Sequence, residues 1–179
     1  GQNPELVLHG GGNTSVKGIF MNIFKEPIKT LFIKGSGWDL KTIEKEGFAP
    51  VQLEYLLQLA TLSKLNDIEM VKEQRLAILE PQAPNPSVEA ILHALIPFKY
   101  VDHTHADAIL AITNTPNGKQ KIKEIYGSDI LIVPYVMPGF ILAKKIAELT
   151  STINWGQLRG MILMNHGVFS FGDNAKHSY

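Results

Sequence analysis

Between residues 50 and 65, apolar side chains at Val51, Tyr55, Leu56, Leu59 and Leu62 recur at i, i+4, i+5, i+8 and i+11. That stripe predicts an amphipathic helix covering a sheet. A second helical pattern lies between two prolines, with Asn85 as N-cap, Pro86 at the first helical position and Pro97 at the end. Within it Val88, Ile91, Leu92 and Leu95 form an i, i+3, i+4, i+7 face for burial. Glu89 and His93 then share another face, one turn apart, where a solvated i, i+4 pair is the plain alternative to chemistry. Residues 18–24 and 30–33 read as a hairpin with Glu26 and Pro27 in its turn. Residues 99–107 and Ile130–Val133 read as strands, and residues 160–172 as one apolar strand interrupted by Asn165-His166-Gly167. A short helix begins at 108–112, a solvated one covers 119–126, and a third covers 140–149 with Ile141, Ala143, Ile146, Ala147 and Leu149 packing inward. Residues 71–80 give no clear period and read as a strand or loop around 76–79.

Composition narrows the class. The 179 residues carry 17 basic and 17 acidic side chains, 45% hydrophobic and 19% charged residues, as a single folded domain does. With zero net charge and no long basic run, nothing asks for nucleic acid or an anionic membrane. No apolar run is long enough to cross a bilayer. The absence of Cys removes disulfides and thiolate ligands and fits a reducing cytoplasm. Any metal site must then use His, Asp and Glu. Both ends read as cut, since the chain reaches a glycine-rich motif by Gly10 and closes where Asp173 or Asn174 would cap a helix. The expectation is a piece of a longer polypeptide.

The chemistry-bearing residues fall in five short stretches. On a strand, His103 and His105 project to one side with Cα atoms roughly 7 Å apart, so two imidazoles can converge on one ion, although the spacing equally fits two half-buried histidines. His166 interrupts an apolar run and must find a partner, because burying an unpaired polar ring costs several kcal/mol; a metal or one backbone carbonyl would serve. The run Gly10-Gly11-Gly12-Asn13-Thr14-Ser15 allows close backbone approach, so that N–H groups can point into one concavity and hold a phosphate or carboxylate. A flexible turn is the simpler reading. It is neither a P-loop nor a dinucleotide fingerprint, since a strand and not a helix follows. Lys34-Gly35-Ser36-Gly37, on the neighbouring strand's end, would form the second wall of such a pocket.

Taken in order, Gly11-Gly12-Asn13-Thr14-Ser15, Lys34-Gly35-Ser36-Gly37, Pro86-Ser87-Val88-Glu89, His103-Thr104-His105 and Asn165-His166-Gly167 resemble the class II aldolase/adducin family over nearly the whole chain. The wording is most similar to the aldolase part of bacterial proteins that fuse a rhamnulose-1-phosphate aldolase-like domain to a C-terminal short-chain dehydrogenase. The resemblance implies an α/β fold of three layers, α/β/α, around a largely antiparallel central sheet. It implies a zinc site made by His103, His105 and His166 with open positions for substrate oxygens, and Glu89 as the catalytic carboxylate. Asn13, Ser36, Gly37 and Ser87 fall on positions lining a phosphate pocket, where Val88 replaces a second serine of the family's Ser-Ser-Glu variant. Tyr126 and Tyr135 are candidates for a proton-donating tyrosine. The implied reaction is retro-aldol cleavage of a phosphorylated deoxyketose to dihydroxyacetone phosphate and lactaldehyde. Epimerase or dehydratase chemistry on the same metal, or a non-catalytic adducin-like module, are the competing readings. The resemblance further implies a homo-oligomer, commonly a tetramer, with NAD used only by a dehydrogenase domain beyond Tyr179.

Overall fold

The computed structural model describes residues 1–9 and 11–179. Seven strands form one sheet: β1 (Asn13–Met21), β2 (Pro27–Lys34), β3 (Phe48–Gln52), β4 (Tyr100–Thr104), β5 (Ile130–Val133), β6 (Gly160–Leu163) and β7 (Gly167–Gly172), in the order β3-β2-β1-β4-β7-β6-β5. Only β5 and β6 run parallel; the other neighbours are antiparallel. The helices are α1 (Leu53–Thr61), α2 (Asp67–Leu76), α3 (Ala90–Leu95), α4 (Asp107–Thr113), α5 (Gly118–Tyr126), α6 (Phe140–Thr150) and α7 (Ala175–Ser178).

Alternation along the strands separates two cores. Leu31, Ile33, Val51, Met161 and Phe169 point to one face and pack with Leu56 of α1, Ile91 and Leu92 of α3, and Ile146 of α6. Ile162 and Val168, paired on β6 and β7, point to the other and pack with Ile109 of α4 and Ile122 of α5. The expected three-layer arrangement with a largely antiparallel sheet is thus the one observed.

Several local expectations change. β3 occupies residues that the helical stripe had claimed, so Val51 reaches the core from a strand and the helix starts only at Leu53. Pro50 is tolerated there because β3 is an edge strand. Residues 67–76 are helical, capped by the Asn66 side chain, which accepts from Glu69 N at 2.8 Å. Only Met70 and Gln74 of α2 are buried, so no apolar period advertises it. α3 begins at Ala90, four residues after Pro86. The preceding segment is extended against the end of β2, with Ser36 N donating to Asn85 O at 2.7 Å and Ser87 N to Lys34 O at 3.0 Å. Val88 therefore stays 41% exposed instead of joining a buried helical face. Residues 160–172 form two strands of a hairpin, turning through Asn165 at φ 59°. In α6 Leu142 points inward with Ala143 and Ile146, while Ile141 is 66% exposed.

Candidate metal centre

β4 sits mid-sheet between β1 and β7, with His103 paired opposite Asn13 on one side and Phe169 on the other. That places His103 among strands on both flanks and leaves it 1% exposed. His105 lies just beyond the strand's end, and the β6–β7 turn brings His166 alongside. Ligating atoms of the three imidazoles all fall within 4.8 Å of one another, and His103 Nε2 is 3.0 Å from His105 Nε2. Two nitrogens bound at roughly 2.0–2.1 Å to one tetrahedral ion stand about 3.3 Å apart, so the cluster needs little adjustment to close on a divalent metal. His103 Nδ1 lies 3.1 Å from Val168 O. Donation to that carbonyl puts the proton on Nδ1 and leaves the Nε2 lone pair for an ion, the orienting contact metal-binding histidines usually make.

Two glycines permit this approach. A Cβ on Gly167 would stand 2.4 Å from Thr104 O and 3.0 Å from His103 Cε1. At Gly12, whose φ is +67°, it would stand 2.7 Å from His103 O and 2.6 Å from Val7 Cγ1. Side chains at either position would push the histidine strand away.

Glu89 reaches the cluster from the N-terminal side of α3. It is 7% exposed; Oε2 is 3.6 Å from His103 Nε2 and Oε1 is 3.7 Å from His166 Nε2. Among the described residues Glu89 Oε1 and His166 Nδ1 have no hydrogen-bond partner. An unpartnered buried carboxylate oxygen costs free energy, which a cation or substrate proton would relieve. Burial raises the Glu89 carboxyl above the usual range, against the pull of Asn13, His166 and His105. Burial likewise pushes His103 down to about 3 and His166 to about 4. Neutral rings at pH 7 are what a metal requires.

Beside the cluster opens a cleft of about 240 Å³ lined by Gly11, Gly12, Asn13, Lys34, Ser36, Gly37, Ser87, Val88, Glu89, His105, Pro138 and His166. Gly11 and Gly12 of the first glycine loop, whose Gly10 lies outside the described residues, therefore meet the Ser36-Gly37 loop and the Ser87 segment at one wall. Asn13 lines it, but its amide is engaged: Nδ2 donates to Glu89 Oε2 at 2.8 Å and to Ser87 Oγ at 3.1 Å. Tyr126 and Tyr135 are exposed and do not line the cleft. Lys34, from the motif expected to form the second wall, does line it, and so does Pro138, which carries no signal in the sequence as a site residue. A larger concavity of about 630 Å³, bordered by Phe20, Phe32 and Phe48, holds none of these groups.

A family profile described as the Class II Aldolase and Adducin N-terminal domain matches residues 2–179. The chain belongs to this family. Its relatives include an uncharacterized oxidoreductase, YuxG, of Bacillus subtilis, 38% identical over 170 residues that make up 95% of this chain and 24% of that protein. The chain thus spans about a quarter of the length of that curated relative. The solved N-terminal class II aldolase domain of a conserved protein from Thermoplasma acidophilum superposes with a TM-score of 0.89 at 41% identity, covering 99% of this chain and 80% of that one. An L-fuculose-1-phosphate aldolase from Thermus thermophilus shares the fold at TM-score 0.53 and 16% identity, over 96% of this chain and 73% of that one. Class II aldolases typically depend on a divalent metal, and this member carries a three-histidine cluster suited to one. Among the described residues no helix is long and apolar enough to cross a membrane.

Proposed function

We propose that this domain is a zinc-dependent aldolase that cleaves a phosphorylated deoxyketose of the rhamnulose-1-phosphate kind into dihydroxyacetone phosphate and lactaldehyde. The observation that carries the reading is Glu89 Oε1, buried, unpartnered and 3.7 Å from His166 Nε2, at the edge of a cleft walled by Ser36, Gly37 and Ser87. His103, His105 and His166 would hold the ion; zinc is the expectation, and the same ligands suit other divalent metals. The chemistry such an ion supplies when bound is Lewis acidity towards a ketose carbonyl.

The protein's own groups account for the rest. Retro-aldol cleavage removes a proton from the hydroxyl that becomes the aldehyde and returns one to the carbon of the dihydroxyacetone phosphate fragment. One group can carry both transfers. Glu89 Oε1 is placed to hold that proton, and its raised affinity brings it closer to the working pH, as proton transfer favours. Ser36, Ser87 and the backbone at Gly37, where φ is +81°, supply the polar wall for the phosphate, with Lys34 adding positive charge. Asn13 lines the same wall and holds Glu89 and Ser87 in register.

The relative named an oxidoreductase is about four times as long as its matched part, which supports a second proposal: that this domain belongs to a cytoplasmic fusion whose dehydrogenase part uses NAD. Assembly as a homo-oligomer such as a tetramer is part of the same reading. Rhamnulose 1-phosphate supplied to the zinc-loaded domain, with dihydroxyacetone phosphate measured by coupled reduction, tests the central claim. Cleavage that disappears in Glu89→Gln is the expected result. Conversion to an epimer or a dehydrated product would assign the site to epimerase or dehydratase chemistry, and no conversion of any sugar phosphate would favour a non-catalytic module.

A further inference from the structure

His93 has no place in the expected site, and by sequence it reads as half of a solvated pair with Glu89. In the fold it is 0% exposed, on α3 beneath the metal centre. Its ring meets Phe169 edge to face at 5.3 Å, and Phe169 stacks on His103 at 4.2 Å. Both its nitrogens are engaged. Nδ1 lies 2.8 Å from Ser15 Oγ, and Nε2 makes a short contact with Asn13 Oδ1.

The directions of these bonds follow from the far end. Glu89 as a carboxylate only accepts, so the group Asn13 presents to Glu89 Oε2, 2.8 Å away, must be its NH2. Asn13 Oδ1 then faces His93 and must receive a proton, which fixes the Nε2–H tautomer. His93 Nδ1 accepts in turn from the Ser15 hydroxyl. Burial, helped by the nearby Lys17 ammonium, holds the His93 ring neutral, as this chain of bonds requires. Without the Nε2–H donor, the buried Asn13 Oδ1 loses its partner, and the amide is held at its NH2 end alone, by Glu89 and Ser87.

The geometry points to His93 as a positioning residue that acts through Asn13 on Glu89: its Nε2–H orients the Asn13 amide, which holds Glu89 Oε2 and leaves Oε1 free towards His166. The consequence for turnover rests on the reading of Glu89 as the catalytic carboxylate; the orientation of the amide does not.

Two variants separate orientation from packing. His93→Met keeps comparable bulk with no donor, and His93→Gln returns an N–H near the Nε2 position. The Asn13 side-chain amide is followed by NMR in protein labelled with 15N at asparagine, its signals assigned by their loss in Asn13→Ala. We expect solvent exchange of these protons to accelerate at least about tenfold in His93→Met and to stay within about threefold of wild type in His93→Gln. With rhamnulose 1-phosphate, His93→Met should lower kcat roughly 10- to 100-fold with KM within about threefold, and His93→Gln should regain about tenfold. Amide exchange unchanged in His93→Met, or His93→Gln behaving no better than His93→Met, overturns the inference. If Glu89→Gln cleaves as fast as wild type, or wild type does not cleave, the reading of Glu89 fails by itself, and the exchange measurement still decides the link from His93 to Asn13.

Discussion

His103 Nε2 and Glu89 Oε2 stand 3.6 Å apart with both side chains buried. The distance is too long for a strong hydrogen bond. The ring donates from Nδ1 to Val168 O, and the carboxylate's Oε2 accepts from Asn13 Nδ2, so each is anchored from behind and the space between them is left for something else. An imidazole lone pair and a carboxylate facing one gap suit a cation, or a substrate proton in its place.

Acid should unfold the metal-free protein through these rings. The folded-state values of about 3 for His103 and about 4 for His166 lie below the ordinary imidazole value near 6.5. The stability they contribute is therefore fully present above about pH 6.5 and is lost as pH falls towards 4, by about 1.4 kcal/mol per pH unit for a fully buried ring and less for the half-buried His166. Glu89 acts with the opposite sign, because its raised value gives stability present at low pH and lost as pH rises through it. The rings outnumber it. Urea midpoints of metal-free protein should fall steadily from pH 7 to pH 5, and a flat profile would contradict the burial of neutral rings.

Lys17 crosses from β1 to hold the end of α3, its Nζ donating to the carbonyls of His93 at 2.9 Å, Ile96 at 2.6 Å and Phe98 at 2.9 Å. The carbonyls of His93 and Ile96, at the helix's C-terminal end, have no helical partner of their own. Burial pushes the ammonium down to about 8, so it remains largely charged at pH 7. Replacing it by Met in Lys17→Met removes all three bonds and should cost about 2–4 kcal/mol in urea denaturation. A loss below about 1 kcal/mol would show that water replaces the ammonium without penalty.

Gly167→Ala tests how closely the β6–β7 turn must approach. Its methyl would meet Thr104 O at 2.4 Å and His105 Cδ2 at 3.1 Å, so the turn carrying His166 must retreat from the other two rings. Zinc affinity measured against a chelator should fall at least tenfold, by about 1.4 kcal/mol or more, even where the variant still folds. Unchanged affinity would mean that His166 is not a ligand.

Val88 faces the cleft, 41% exposed, beside Ser87. Val88→Ser adds one hydroxyl donor to the anion wall and should tighten binding of inorganic phosphate roughly tenfold, the value of one hydrogen bond to a charged group. Phosphate titration by calorimetry reads this directly; no gain would remove Val88 from the pocket.

Sequence legibility followed the length scale of each signal. The second hairpin strand, α5 and α6 carried periods long enough to read, and family resemblance grouped the motifs whose residues Asn13, Ser36, Ser87, Glu89, His105 and His166 line one cleft. β3 was hidden because an edge strand tolerates Pro50 and runs straight into α1. α2 was hidden because only Met70 and Gln74 of it are buried, too few to make an apolar period. His93 escapes a local reading because α3 is buried on every side, at Ala90, Ile91, Leu92, His93 and Ala94, so its polar position is not a solvent face. Its partners Ser15 and Asn13 are 78 and 80 residues away in sequence, a relation no local pattern encodes.

The central claim, that three separated histidine segments meet around one divalent ion, is tested most directly by element-resolved metal content of the purified protein after zinc is supplied, beside His103→Ala and Glu89→Gln. About one zinc per chain in wild type and in Glu89→Gln, and none in His103→Ala, is the predicted result. A folded wild-type protein that takes up no metal, or a His103→Ala variant that keeps it, would contradict the account.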